Sequence, residues 1–131
     1  MTRVLIADDD LEMRELLALS LRQSGYEVEL VANGNELLQR LEHMREDTPP
    51  DVVITDMQMP GWGGLQVLPW VRAWSPRTAL VLITAFADRE VRTLASALGA
   101  DAVLDKPFDL GALKEAIDAL LAKAAEGATH S

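Results

Sequence analysis

The stretch Val52-Val53-Ile54-Thr55-Asp56-Met57-Gln58-Met59-Pro60 is a short apolar run that ends in a carboxylate and a proline. Because the run is rich in β-branched residues and too short for a helix, it predicts a strand buried on both faces. Carboxylates are rarely buried without a partner, so an acid at the end of such a strand caps a helix or belongs to a site. A loop pattern follows Asp56, which favours the site.

Three other apolar runs, over residues 3–7, 79–83 and 102–104, also read as strands. Residues 26–31 alternate between apolar and polar side chains, as expected of a strand at the edge of a sheet. The runs over residues 3–7, 79–83 and 102–104 are each followed by polar side chains. These segments are Asp8-Asp9-Asp10, Thr84-Ala85 and Asp105-Lys106-Pro107-Phe108, in that order. Polar groups at strand ends are therefore a repeated feature of the chain.

Helical periodicity separates the strands and predicts five helices, over about residues 11–23, 33–44, 65–74, 88–99 and 109–124. Asp10, Asp88 and Asp109 stand where N-caps belong, so we assign Asp10 no chemistry. Pro69 inside the third helix predicts an irregular first turn. We expect one domain over residues 1–124 and a flexible tail over residues 125–131.

Alternating strands and helices predict an α/β, doubly wound fold with a parallel sheet and helices on both faces. Ligands of such folds bind outside the carboxyl ends of the strands. We therefore expect the polar side chains at those ends to meet at one edge of the sheet. They are Asp8, Asp9, Asp56, Thr84 and Lys106.

Three carboxylates brought together repel each other by on the order of 4 kcal/mol per pair at a separation of about 4 Å. Oxygen ligands without histidine or cysteine favour a hard cation, and an incomplete protein cage suits Mg²⁺. Lys106 adds a cation and Thr84 a hydroxyl. This set suits phosphoryl transfer to an aspartate, with an acyl phosphate as the product.

The composition limits the classes of function. The chain has 131 residues, no cysteine and a formal net charge of -9. The missing cysteines exclude disulfides and thiolate metal sites, and the acidic charge argues against nucleic acid binding by this domain. No apolar run has membrane-spanning length and no signal peptide is evident, so we expect a cytoplasmic protein.

Taken together, the motifs Asp8-Asp9, Asp56-Met57-Gln58-Met59-Pro60, Thr84-Ala85 and Lys106-Pro107-Phe108 resemble those of response-regulator receiver domains of two-component signalling. The resemblance covers residues 1–124 and implies a (βα)5 flavodoxin-like sandwich with strand order 2-1-3-4-5. It implies a switch rather than a classical enzyme. A sensor histidine kinase or phosphotransfer protein would phosphorylate Asp56.

The resemblance also implies roles for the neighbours of Asp56. Asp9, Asp56 and the backbone carbonyl of Gln58 would bind Mg²⁺, and Asp8 would act through water. Thr84 and Lys106 would contact the phosphoryl oxygens. The Lys106-Pro107 peptide would be cis.

Phosphorylation is expected to shift the face formed by the fourth helix, fifth strand and fifth helix, and so to control a downstream partner or output domain. The chain departs from the family where an aromatic residue commonly lies in the last strand, because Val103 takes that position. We expect Thr84 and the backbone of residues 85–88 to carry the signal instead. Gln58 and Phe86 are expected to modulate hydrolysis. Dimerisation on activation is compatible with the resemblance, but no residue pattern commits to it.

Three other functions fit part of the sequence. Asp8-Asp9-Asp10 contains the Asp-x-Asp of haloacid-dehalogenase-type phosphatases. However, Glu12 replaces the threonine or valine expected there, and the chain leaves no room for a substrate cap. A flavodoxin-like cofactor binder would need a glycine- and hydroxyl-rich phosphate loop where the chain carries acids. A receiver fold used only as a binding module is disfavoured because every site residue is present.

Overall fold

The computed structural model describes residues 2–44, 48–59, 61–106 and 109–129, with the side chains of residues 126–129 left aside. Five strands and five helices alternate along the chain, as the sequence predicts. The strands are β1 (Arg3–Ala7), β2 (Glu27–Val31), β3 (Val52–Asp56), β4 (Ala79–Thr84) and β5 (Ala102–Asp105). The helices are α1 (Leu11–Gln23), α2 (Gly34–Met44), α3 (Gly64–Trp74), α4 (Arg89–Leu98) and α5 (Leu110–Thr129).

The strands form one parallel sheet in the order β2-β1-β3-β4-β5, which confirms the predicted fold class and places β2 at an edge. Each face of the sheet carries its own apolar core. Leu17 of α1 and Ile117 of α5 belong to one core, and Leu41 of α2, Val71 of α3 and Ala95 of α4 belong to the other. All residues of β3 and β4 are buried, as expected of central strands covered on both sides.

The helix ends follow the capping residues read from the sequence. The Asp10 carboxylate accepts hydrogen bonds from the backbone N–H groups of Glu12 and Met13 and caps α1. Asp88 caps α4 by accepting from the N–H of Val91 at 2.9 Å. Gly99 ends α4 with a φ of +117°, a conformation that glycine adopts without steric cost. Asp10 is thus the N-cap of α1, as predicted.

Two predictions about helices differ from the structure. The first turn of α3 is closed, because the N–H of Val67 donates to the Gly63 carbonyl at 3.2 Å. Pro69 comes sixth in the helix and removes a single hydrogen bond without disturbing that turn. Helix α5 runs on through residues 125–129, which were predicted to follow the domain as a tail.

Arg72 fixes the end of the sheet at which the strands begin, opposite their carboxyl ends. Its guanidinium donates to the carbonyls of Pro76 at 2.8 Å and Thr78 at 3.0 Å. It also donates to the carbonyl of Gly99 at 2.6 Å and to the Asp101 carboxylate at 2.9 Å. The end of α3, the start of β4 and the turn after α4 are therefore held by one side chain.

Within the described residues, no helix combines the length and the apolar character that crossing a bilayer requires.

Candidate functional site

The polar residues at the strand ends meet in a cleft of about 240 Å³, lined by Asp9, Asp10, Asp56, Gln58, Thr84, Ala85 and Lys106. Carboxylate oxygens of Asp8, Asp9 and Asp56 lie within 4.8 Å of one another. Lys106 Nζ lies 3.0 Å from Asp56 Oδ2 and 3.6 Å from Asp8 Oδ2. The predicted convergence of these residues on one edge of the sheet is therefore observed.

Asp56 is held by the backbone that follows it. Its side chain is largely buried, and its Oδ1 accepts from the N–H of Gln58 at 3.3 Å. The chain then folds back tightly, because the N–H of Gly64 donates to the Met57 carbonyl at 2.9 Å. A Cβ atom on Gly64 would lie 2.3 Å from the Asp56 carbonyl oxygen, so only glycine fits there. The start of α3 thus fixes the end of β3.

Asp8 is fully buried and only partly satisfied by hydrogen bonds. Its Oδ1 accepts from the N–H of Asp10 at 2.9 Å, whereas its Oδ2 has no hydrogen-bond partner among the described residues. Burial, followed by the nearby charge of Asp56, raises the pKa of Asp8 to about 6. Asp9 is exposed at the mouth of the cleft. The acidic cluster therefore requires nearby positive charge to offset the repulsion among its carboxylates.

Lys106 supplies one positive charge to this cluster. Burial alone would lower the pKa of its amine, but the hydrogen bond and charge of Asp56, with the charge of Asp8, outweigh burial and raise that pKa. The backbone N–H of Lys106 donates to the Thr84 carbonyl at 2.8 Å. This bond joins the ends of β4 and β5, so Lys106 and Thr84 are positioned together.

The Thr84 hydroxyl connects the cleft to the loop before α4. Thr84 Oγ1 accepts from the N–H of Phe86 at 3.0 Å and lies 3.2 Å from Met57 Sδ. Phe86 is 58% exposed, while Val103 packs against the core between the sheet and helices α2, α3 and α4. The contact with Met57 was not predicted, because nothing in the sequence marks a thioether as the neighbour of a strand-end hydroxyl.

The residues present fit a small, hard cation. The cluster offers carboxylate oxygens from three side chains, and the buried Asp8 Oδ2 accepts no hydrogen bond from any described residue. Oxygen ligands of this kind suit Mg²⁺, which also retains bound waters in an open site. Gln58 lines the cleft. The cis peptide predicted at Pro107, and Pro107 and Phe108 themselves, lie outside the described residues.

Arg92 was missed at the level of sequence, where it is one of several polar residues on the outer side of a helix. Its guanidinium donates to the carbonyls of Ala87 and Val103 and to the Asp105 carboxylate, at 3.2, 3.0 and 2.6 Å. Arg92 therefore joins α4 to the loop before it and to the last strand, next to Lys106.

Comparison with known proteins gives a consistent result. The family model described as response regulator receiver domain matches residues 4–118. The chain is 36% identical over 111 residues to the regulatory protein AtoC of Escherichia coli, covering 85% of this chain and 23% of that protein. It is 35% identical over 125 residues to a transcriptional regulatory protein CpxR homolog of Haemophilus influenzae, covering 95% and 52%. The chain thus spans about half or less of the length of these relatives.

Solved structures resemble the fold over nearly the whole chain. A CheY-like response regulator receiver domain protein of Methanospirillum hungatei has a TM-score of 0.88 at 27% identity, with 97% of this chain and 98% of that chain covered. The response regulator TrrA of Thermotoga maritima, in complex with Mg²⁺ and BeF, has a TM-score of 0.80 at 34% identity, with 92% and 99% covered.

Proposed function

Because this chain belongs to the response regulator receiver domain family, we propose that Asp56 accepts a phosphoryl group and thereby switches the surface of the domain. Receiver domains are phosphorylation-dependent switches rather than classical enzymes. One observation carries the assignment to Asp56. Its carboxylate lies 3.0 Å from Lys106 Nζ, in a cleft that also gathers Asp8 and Asp9.

The chemistry follows from the surroundings of Asp56. A carboxylate oxygen attacks the phosphorus of a phosphohistidine, the phosphorus–nitrogen bond breaks, and the imidazole leaves with a proton from solvent. The product is an acyl phosphate on Asp56. Negative charge spread over the phosphoryl oxygens is stabilised by the Lys106 amine, which already contacts Asp56, and by the Thr84 hydroxyl once it turns toward the phosphoryl group.

Asp9, Asp56 and the Gln58 carbonyl would hold Mg²⁺, with Asp8 acting through bound water. When bound, the ion neutralises charge on the acidic cluster and on the transferring group. Asp8 serves chiefly to place negative charge behind the site and, through its bond to the N–H of Asp10, to fix the turn that carries Asp9.

The signal leaves the cleft through Thr84. Phosphorylation adds a charge of about -1.5 to -2, and the Thr84 hydroxyl turns toward it. The N–H of Phe86 then loses its acceptor, so the loop of residues 85–88 rearranges and changes the face formed by α4, β5 and α5. No aromatic side chain swings with Thr84, because Val103 occupies that place. Gln58 and Phe86 modulate the lifetime of the acyl phosphate.

The partners follow from the family. The domain of residues 1–124 would receive its phosphoryl group from a sensor histidine kinase or phosphotransfer protein in the cytoplasm. Its output would be a downstream effector or an attached domain, and two relatives are named as transcriptional regulatory proteins. With a net charge of -9 the domain itself would not bind DNA, and it would dimerise, if at all, on activation.

The test is direct phosphorylation of the isolated chain. Incubation with Mg²⁺ and a small acyl-phosphate donor should add one phosphoryl group by intact mass, and Asp56→Asn should abolish the addition. Asp51→Asn, at the other end of the same strand region, is the matched control and should be phosphorylated like the wild type. An unmodified wild-type chain would favour a domain that only binds partners, and a product retained in Asp56→Asn would place the acceptor elsewhere.

A further inference from the structure

Arg92 reaches three acceptors that belong to two other segments. Its Nε donates to the carbonyl of Ala87 at 3.2 Å, and its Nη1 donates to the carbonyl of Val103 at 3.0 Å. Its Nη2 donates to Asp105 Oδ2 at 2.6 Å. A guanidinium can bridge such a set because its donors are fixed in one plane. One side chain thus holds the loop before α4 against the last strand.

Both segments lead directly to the proposed phosphorylation site. Asp105 immediately precedes Lys106, whose amine contacts Asp56. Ala87 follows Phe86, whose N–H donates to the Thr84 hydroxyl at 3.0 Å. Among the described residues, the loop is connected to the site region by the Thr84 hydroxyl on one side and by Arg92 on the other.

We propose that Arg92 is a positioning residue that clamps the loop of residues 85–88 in its resting arrangement and so opposes activation. The inference rests on the proposed function. When Thr84 turns toward a phosphoryl group, its bond to the N–H of Phe86 is lost, and Arg92 remains as the side chain that keeps Ala87 near β5.

The clamp also explains how a chain with Val103 in the last strand couples that strand to the loop. Arg92 binds the backbone carbonyl of Val103 rather than its side chain. The Arg92–Asp105 ion pair is too exposed, at 46% and 57% of the two side chains, to contribute much by itself. The coupling therefore depends on the two carbonyl bonds, which a lysine could not make together with the ion pair.

Beryllofluoride with Mg²⁺, a mimic of the phosphoryl group, measures the clamp by titration. Arg92→Ala should bind the mimic about fivefold more tightly than the wild type, the equivalent of about one net hydrogen bond lost from the resting state. Arg92→Lys should fall between them. Arg89→Ala removes the same charge from the same helix, at a side chain that makes no hydrogen bond or ion pair with the described residues, and should match the wild type. Equal or weaker binding by Arg92→Ala overturns the proposal.

Amide hydrogen exchange of the resting protein, without Mg²⁺ or mimic, tests the clamp independently of phosphorylation. The amides of residues 86–88 should exchange faster in Arg92→Ala and at the wild-type rate in Arg89→Ala. Unchanged exchange in Arg92→Ala refutes the clamp even if the wild type is phosphorylated normally. A wild type that neither binds the mimic nor accepts a phosphoryl group refutes the proposed function, whatever the exchange rates are.

Discussion

At the scale of single residues, the site gathers three carboxylates that repel each other and a lysine that offsets part of that repulsion. Asp8 shows this most clearly, because it is fully buried and its pKa is raised to about 6. The ionised form of Asp8 is therefore disfavoured by the fold. A residue kept at a cost to stability in this way is expected where ligand binding, rather than packing, determines its identity.

The penalty at Asp8 should be measurable as a pH-dependent stability difference. The pKa of Asp8 is raised from 3.8 to about 6 in the folded state. Ionisation of Asp8 therefore costs the folded state nothing well below pH 3.8 and its full amount above about pH 6. Asp8→Asn should therefore stabilise the metal-free protein at pH 7.5 by about 1 to 3 kcal/mol, allowing for a weaker contact with Lys106. Most of that gain should disappear at pH 4.5. Urea unfolding at the two pH values, in the presence of a chelator, measures it, and a gain that grows on acidification would contradict the assignment.

Phe86 gives a second prediction at this scale. Its ring is exposed beside the cleft, where it can limit the access of water to the acyl phosphate. In Phe86→Ala, the phosphoryl group should be lost severalfold faster after the donor is removed, as followed by intact mass. Leu94→Ala, which removes another exposed apolar side chain from α4, should leave the lifetime unchanged. Equal lifetimes in the wild type and Phe86→Ala would show that the ring does not shield the site.

The chemical residues of the site could be read from the sequence, whereas the residues that connect them could not. Asp8, Asp56 and Lys106 are conspicuous because polar groups at the ends of buried strands converge in a parallel sheet. Met57 and Arg92 are ordinary residues in their local pattern. Their importance arises from contacts between segments 27 and 11 to 13 residues apart, which only the folded chain displays.

At the scale of elements, the start of α1 and both ends of α4 follow from local chemistry. Asp10 and Asp88 were predicted as N-caps because capping requires only neighbouring backbone groups, and Gly99 ends α4 as a left-handed C-cap. One of the two differences from prediction also has a local cause. Pro69 is tolerated by a helix whose first turn is already closed.

The cap of α4 should be separable from the rest of the site. Asp88→Ala removes the acceptor of the Val91 N–H and should destabilise the protein by about 1 kcal/mol, because an N-cap contributes about that much. Asp88→Ser restores an acceptor and should recover most of the loss. Thermal unfolding of the three proteins measures both effects. A loss in Asp88→Ser as large as in Asp88→Ala would mean that charge, rather than capping, is what Asp88 provides.

At the scale of the whole molecule, the net charge of -9 and the acidic cleft favour divalent cations over anions. Only the folded protein assembles the three carboxylates, because Asp56 lies 47 residues after Asp9 in the sequence. Binding energy for a cation is therefore available only to the folded state, and a bound cation must raise its stability.

Mg²⁺ should accordingly stabilise the protein against unfolding, by about 2.7 kcal/mol when its free concentration is a hundredfold above the dissociation constant. Asp9→Asn, at the exposed mouth of the cleft, should lose most of this effect while folding normally. Thermal midpoints measured with MgCl2, and with NaCl at the same ionic strength, separate binding from screening. A similar shift in both salts, or one retained in Asp9→Asn, would exclude this cluster as the binding site.

Arg72 fixes the far end of α4, because it donates to the Gly99 carbonyl and to the Asp101 carboxylate, just after that helix. The turn at Gly99 is tied to α3 through Arg72, whereas the described contacts that tie the loop at the other end of α4 to the sheet come from the half-exposed Arg92 and the Phe86 N–H. Any displacement that starts near Thr84 must then pivot α4 about Gly99. Because a helix of ten residues is about 15 Å long, a pivot of about 10° moves its first turn by about 2.5 Å and its last turn hardly at all. The surface near Phe86 and Arg89 would therefore move the farthest. We expect a partner that senses phosphorylation to contact that end of α4.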